Sequence, residues 1–157
     1  MVVERAAQYE ENPQEGAIRR ALEGTAGIGT CEVGRYVIAI RLHHDDSPDL
    51  SHLEESPRRE LEARRWFRRH GYGRHDSWLR ARRQAQEDQR RLEDYGNGWC
   101  ALGIVVQVTK KGDIVGYSAC WGYESDYAEY LEEEVRGHVT EALAEARAAE
   151  PPLFHLV

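Results

Sequence analysis

The chain has 157 residues, 41% hydrophobic and 31% charged, with a formal net charge of −7 and only three cysteines. A chain of that length buries roughly two-thirds of its unfolded surface and suits one globular domain, while its apolar runs fall short of the roughly 20 residues that span a bilayer. Cys31, Cys100 and Cys120 are odd in number and form no CxxC pair, so they read as small buried hydrophobes rather than a disulfide framework or a zinc site.

At the N-terminus Glu4, Arg5, Glu10 and Glu11 interrupt any leader-like apolar core, so the expected location is the cytoplasm, with no membrane partner. "NPQEGAIRRALEG" carries Pro13 at its start, Ile18, Ala21 and Leu22 at helical spacing and Gly24 as a stop, which predicts a short helix over 13–23. "GTAGIGT" reads as a flexible connection. In "VGRYVIAIRL", Tyr36, Ile38, Ile40 and Leu42 alternate with more polar neighbours, the period of a strand with one apolar face.

"HHDDSPDLSHLEES" is an irregular polar connection, and Ser56-Pro57 opens a helix over 57–69. After the glycines of "HGYGRHD" a second basic helix is expected from Asp76-Ser77 to about residue 92, with Trp78, Ala81, Ala85 and Leu92 as a narrow apolar stripe. In "GWCALGIVVQVTKKGDIVGYSACWG", residues Cys100, Leu102, Ile104, Val106 and Val108 form one apolar face. Lys110 to Asp113 supply a turn, and Ile114, Val115, Tyr117, Ala119 and Trp121 make the returning strand of a β-hairpin. Tyr127, Tyr130, Leu131, Val135, Val139, Ala142, Leu143 and Ala146 then recur every three or four residues, which predicts a final helix of about six turns. Asp126 and Glu129 have capping-box spacing at its start, with Gly122 turning the chain and Trp121 anchoring the helix start against the sheet. "PPLFHLV" follows as an apolar tail expected to dock on its own domain.

Together these elements predict one α+β domain over 1–157. A three-stranded antiparallel sheet packs against the long C-terminal helix, 98–148 forms the hairpin-plus-helix core, and 57–92 is a projecting basic helical pair.

The charge is laid out in blocks. Residues 1–57 hold five basic and eleven acidic side chains, 58–91 hold twelve and five, and 92–157 hold four and twelve. In the basic island Arg64, Arg65, Arg68, Arg69, Arg80 and Arg83 are interleaved with Trp66, Phe67, Tyr72 and Trp78, a pattern that suits phosphates and stacked bases, or an acidic protein surface such as the chain's own final helix. The acidic block of Glu124, Asp126, Glu129, Glu132, Glu133 and Glu134 suits a positively charged partner.

Enzyme chemistry has less support. There is no G-x-S-x-G elbow, no cysteine with a spacing-defined histidine and no glycine-rich phosphate loop, so neither a catalytic residue nor a cofactor is assigned. The weak metal candidates are His43, His44, Asp45 and Asp46, joined by Glu124 and Asp126 if the strands before both segments end at one edge of the sheet. His52, His70, His75, His138 and His155 read as surface or packing residues.

"DDSPDLS", "EDYGNGWCALGI" and "WGYESD" resemble segments of a group of small uncharacterised proteins from bacteriophages and mobile elements, over roughly residues 43–148. His52 and Tyr123 depart from the group's pattern, which has an aromatic and an aliphatic residue at these places. The resemblance implies no activity or ligand. It implies an origin on such an element, where small proteins often inhibit host defence complexes of CRISPR or restriction type. The leading expectation is therefore a non-enzymatic interaction protein binding a host or phage complex through charged surfaces; the alternatives are a nucleic-acid-binding accessory protein using helices 57–92 and, more weakly, a metal-dependent enzyme.

Overall fold

The computed structural model of the chain describes residues 12–150. The leader reading at Glu4 to Glu11 and the docking expected of "PPLFHLV" lie outside the described residues. The chain divides into two compact units, a sheet unit (up to residue 46 and from 101 onward) and a helical unit, Ser47–Cys100.

In the sheet unit α1 (Pro13–Ala21) begins at Asn12, whose side chain accepts a hydrogen bond from the Gln14 N–H at 3.1 Å, with Pro13 in the first turn. Four strands follow, β1 (Ile28–Val33), β2 (Tyr36–His44), β3 (Ala101–Lys110) and β4 (Asp113–Glu124), and then α4 (Ala128–Ala148); the helical unit supplies α2 and α3 between β2 and β3. The sheet is antiparallel throughout, in the order β1-β2-β3-β4, with Cys31 opposite Ile38, Ile40 opposite Val106, and Val106 opposite Ser118. Lys111 and Gly112 both have positive φ, 52° and 88°, the conformation that a two-residue β3–β4 turn needs to match the twist of its strands.

The sheet has four strands, one more than the sequence predicts. β1 is the addition, and Gly29 explains why it reads as a connection. A Cβ at Gly29 would stand 1.7 Å from the Ala17 carbonyl oxygen, so the glycine lets α1 lie directly on the strand. Gly116 does the same for α4, because a Cβ there would meet the Ala142 carbonyl oxygen at 2.0 Å.

α1 packs on β1 and β2, α4 packs on β3 and β4, and the two helices touch, which places both on one face of the sheet. Ile38, Ile40, Ile104, Val106 and Val108 are fully buried on that face beneath Ile18 and Val135. Burying such a side chain contributes roughly 1.5–3 kcal/mol, so this layer dominates the unit's stability.

β4 turns its small residues to the core. Gly116 and Ser118 are its buried residues, while Ile114, Tyr117 and Trp121 are exposed. The register shift at Val108/Thr109 and the close approach of α4 put small side chains inward and large ones outward. Trp121 therefore does not anchor the start of α4. It is 52% exposed and lies across Gly103, where its ring would come within 2.2 Å of a Cβ. The expected capping box is also absent: the N-cap residue is Tyr127, one position after Asp126, and it makes no side-chain cap bond. The exposed edge of β4 is blunted instead by Glu145, which accepts the Tyr117 N–H at 2.8 Å.

In the helical unit α2 (Pro57–Arg69) and α3 (Arg74–Glu93) form a helical hairpin. Arg59 fastens the preceding polar connection, donating to the Ser51 and Glu54 carbonyls at 2.9 and 2.6 Å and pairing with Asp88 at 3.4 Å. Asp49 makes an Asx-type turn with the Ser51 N–H at 3.0 Å, and the hydrogen bonds from Ser51 hold its carboxyl below the usual range. The "DYGNGW" loop closes the unit, with the Trp99 indole N–H donating to the Arg91 carbonyl at 2.7 Å. No helix among the described residues is long and apolar enough to cross a membrane.

Candidate nucleic-acid interface

The tip of the helical hairpin is closed by local hydrogen bonds. Gly71 takes φ of 92°, the Tyr72 N–H reaches the Phe67 carbonyl at 3.2 Å, and the buried Ser77 hydroxyl donates to the Tyr72 carbonyl at 3.3 Å. Arg80 lies over the Tyr72 ring at 4.1 Å. Beside this tip Leu61, Arg65 and Arg68 share one face of α2 by their spacing of four and three. They line a groove of about 530 Å3 with Arg64 and with Arg74, His75, Ser77 and Trp78 of α3.

Glu60 sets the posture of that groove. It accepts from Arg64 at 2.6 Å and from Arg82 at 3.4 Å, and the adjacent Arg64 guanidinium holds its carboxyl below the ordinary glutamate range. Arg64 in turn stands over the Trp78 ring at 5.9 Å. Its Nε is buried without a hydrogen-bond partner among the described residues, a donor still lacking an acceptor.

The six predicted arginines therefore part company. Arg64 is neutralised by Glu60 and Arg80 is held on Tyr72. Arg65, Arg68, Arg69 and Arg83 are exposed and, among the described residues, form no ion pair. Arg69 lines a different groove with Glu62, Trp66 and Phe67. Arg74 and His75 are not among the residues the sequence predicts, because a helix start at Asp76 excludes them; α3 begins at Arg74, which places Arg74 and Trp78 one turn apart on the same face.

The acidic candidates are largely occupied with the sheet unit's own structure. Glu132 accepts from Arg136 at 2.6 Å, and Arg136 also reaches Glu15 of α1 at 2.8 Å, an ion pair that lowers the Glu15 pKa and joins α1 to α4. Glu134 accepts from the Tyr123 hydroxyl at 3.0 Å. Glu124 ends β4 and Asp126 lies in the turn after it, while Glu129 and Glu133 are exposed and form no ion pair among the described residues.

A hydrogen-bonded chain also runs from β4 to α4. The Ser118 Oγ lies 2.6 Å from His138 Nδ1 and 2.5 Å from Glu141 Oε2, and His138 Nε2 lies 2.9 Å from the Tyr123 hydroxyl. Glu134, His138 and Glu141 fall on one helical face at intervals of four and three. Burial, then Cys120 and Glu134, push the Tyr123 phenol far above its ordinary value, so it stays protonated and donates. A hydroxyl against an imidazole suits nucleophilic catalysis. Here Ser118 is buried and its single proton points to Glu141, so the group pins helix to strand.

The predicted convergence of strand ends holds, since His43 and His44 flank Gly103 and Leu102 on one side of β3 while Trp121 and Tyr123 flank them on the other. Asp45 bonds through its N–H to the Ala101 carbonyl at 2.9 Å and Glu124 pairs with Ala101 from the opposite side, which leaves β3 between the two carboxylates. Among the described residues no group of three or more His, Cys, Asp or Glu side chains is placed to hold a metal ion. Of the cysteines Cys100 is buried, Cys31 is half-buried and Cys120 is exposed, against the expectation that all three fill the core. Comparison with family models, curated proteins and solved structures finds no match to this chain.

Proposed function

We propose that the protein is a non-enzymatic binding protein that contacts nucleic acid through its helical unit. The observation that carries this reading is the exposure of Arg65, Arg68, Arg69 and Arg83 without acidic partners among the described residues, on helices that also expose Trp66 and Trp78. Unneutralised guanidinium groups attract phosphates and release their counterions, and the aromatics offer surfaces for bases. The test is fluorescence anisotropy with a labelled oligonucleotide between about 50 and 200 mM salt, where affinity should fall steeply. Absence of binding at the low end would remove the reading.

A second reading, docking of a basic protein partner on the first turns of α4, draws on the exposed Glu129 and Glu133, one turn apart and without ion pairs among the described residues. Charge reversal of these two glutamates with the fold intact should abolish capture of such a partner, and unchanged capture would retire it. The motif resemblance to phage and mobile-element proteins supports an origin on such an element and a host defence complex as the setting for either reading.

A further inference from the structure

We infer that the groove between α2 and the first turn of α3 receives one unpaired nucleotide of a single-stranded nucleic acid, its phosphate between Arg65, Arg68 and Arg74 and its base on Trp78. This inference rests on the nucleic-acid reading above and names the ligand class of that surface. Three features support it.

The first is size. At about 530 Å3 the groove exceeds what a bare phosphate fills and lies within the range of about 300–1,000 Å3 common for sites that take a small molecule. The second is charge. Arg65, Arg68 and Arg74 have no acidic partner among the described residues, and the N-terminus of the 20-residue α3 opens at the same place. Its N-cap is Gly73, which has no side chain to occupy the first-turn N–H groups, so these add to the guanidinium field. Asp76, the acid of that turn, is not part of the lining.

The third feature selects the single strand. Trp78 is 43% exposed on the groove wall, with Arg64 over its ring, Glu60 holding Arg64 in place and the His75 ring lying near-parallel to it, 6.3 Å between centroids. The part of the indole left exposed beside Arg64 and His75 offers stacking area to the flat side of a base, and a base in a duplex has both flat sides covered by its neighbours. Exposed cations around a groove with an indole in its wall therefore fit an unstacked nucleotide better than the outside of a duplex.

The test uses the full chain with equal-length labelled oligo-dT, oligo-rU and duplex DNA at low salt. Either single strand should bind at least about tenfold tighter than the duplex, since phosphate and stacking are common to both sugars. Trp78→Ala should weaken single-strand binding about fivefold to a hundredfold, and Trp78→Phe should retain most of it. Trp78→Phe keeps a ring, so it separates stacking from a folding defect, which a melting curve checks independently. Equal affinity for duplex, or full affinity in Trp78→Ala, would overturn the inference and leave the salt-dependent reading standing. No binding of any oligonucleotide would overturn both.

Discussion

The sheet unit and the helical unit use charge in opposite ways. By sequence the first holds nine basic and eighteen acidic residues and the second twelve and ten. In the sheet unit cations act as struts: Arg136 joins α1 to α4 through Glu15, and Glu150 after α4 gathers Arg35, Tyr36 and Lys110 from the sheet, the last at 3.0 Å. In the helical unit Glu60 takes two arginines while Arg65, Arg68, Arg69 and Arg83 stay without ion pairs among the described residues. The comparison teaches that net charge is a poor guide to binding surface. An excess of acid can be consumed within a fold, and a nearly balanced unit can present bare cations.

If that division is right, substitutions in the helical unit should move binding and those in the sheet unit should move stability. The largest effect is expected from Arg65→Glu with Arg68→Glu, which should weaken oligonucleotide binding on the order of a hundredfold at low salt. Both side chains are exposed, so the melting temperature should barely change; an equal loss of stability would break the division. Next comes Gly116→Val, which forces side-chain atoms against the α4 backbone and should cost roughly 1–3 kcal/mol or more in denaturant unfolding. Oligonucleotide affinity of the folded fraction should be unaffected.

A smaller loss is expected from His138→Ala, about 1–2 kcal/mol, because the buried Ser118 loses its imidazole partner while keeping Glu141. The pH dependence follows the same division. Arg136 lowers the Glu15 pKa, and the Tyr36 hydroxyl, followed by Lys110 and Arg35, lowers that of Glu150, both from an ordinary 4.5. A carboxyl depressed on folding stabilises the protein above its unfolded pKa, and that stability is lost as pH falls through the folded value. Melting temperature should therefore drop below about pH 4.5, and less so in Glu150→Gln, which has already lost this carboxylate. A wild-type profile flat down to pH 3 would contradict the strut assignment.

The sequence carried much of the fold because long periodic segments announce themselves. The alternation of Tyr36, Ile38, Ile40 and Leu42 and the three-four rhythm from Leu131 to Ala146 mark buried faces that the structure also buries. What stayed hidden depended on close contact. Gly29 and Gly116 are signs of loops or weak strands until a helix backbone is known to lie on them. Gly103 likewise reads as a weak strand residue until the exposed Trp121 ring is seen to lie across it. In the candidate site the arginine-aromatic interleaving was legible in one dimension, yet which arginines are spent was not. The spacing of Glu60 to Arg64 suggests their pairing, whereas Arg82 reaching the same glutamate requires the hairpin to fold. A helix start placed two residues late removed Arg74 and His75 from a site they help to line.

The most direct test of bare cations on the helical unit is the salt dependence of single-strand binding for the wild type and for Arg65→Gln with Arg68→Gln. The logarithm of affinity should fall linearly with that of salt concentration, with a slope shallower in the variant by about 0.7 for each phosphate contact removed. An identical slope in the two proteins would contradict the account.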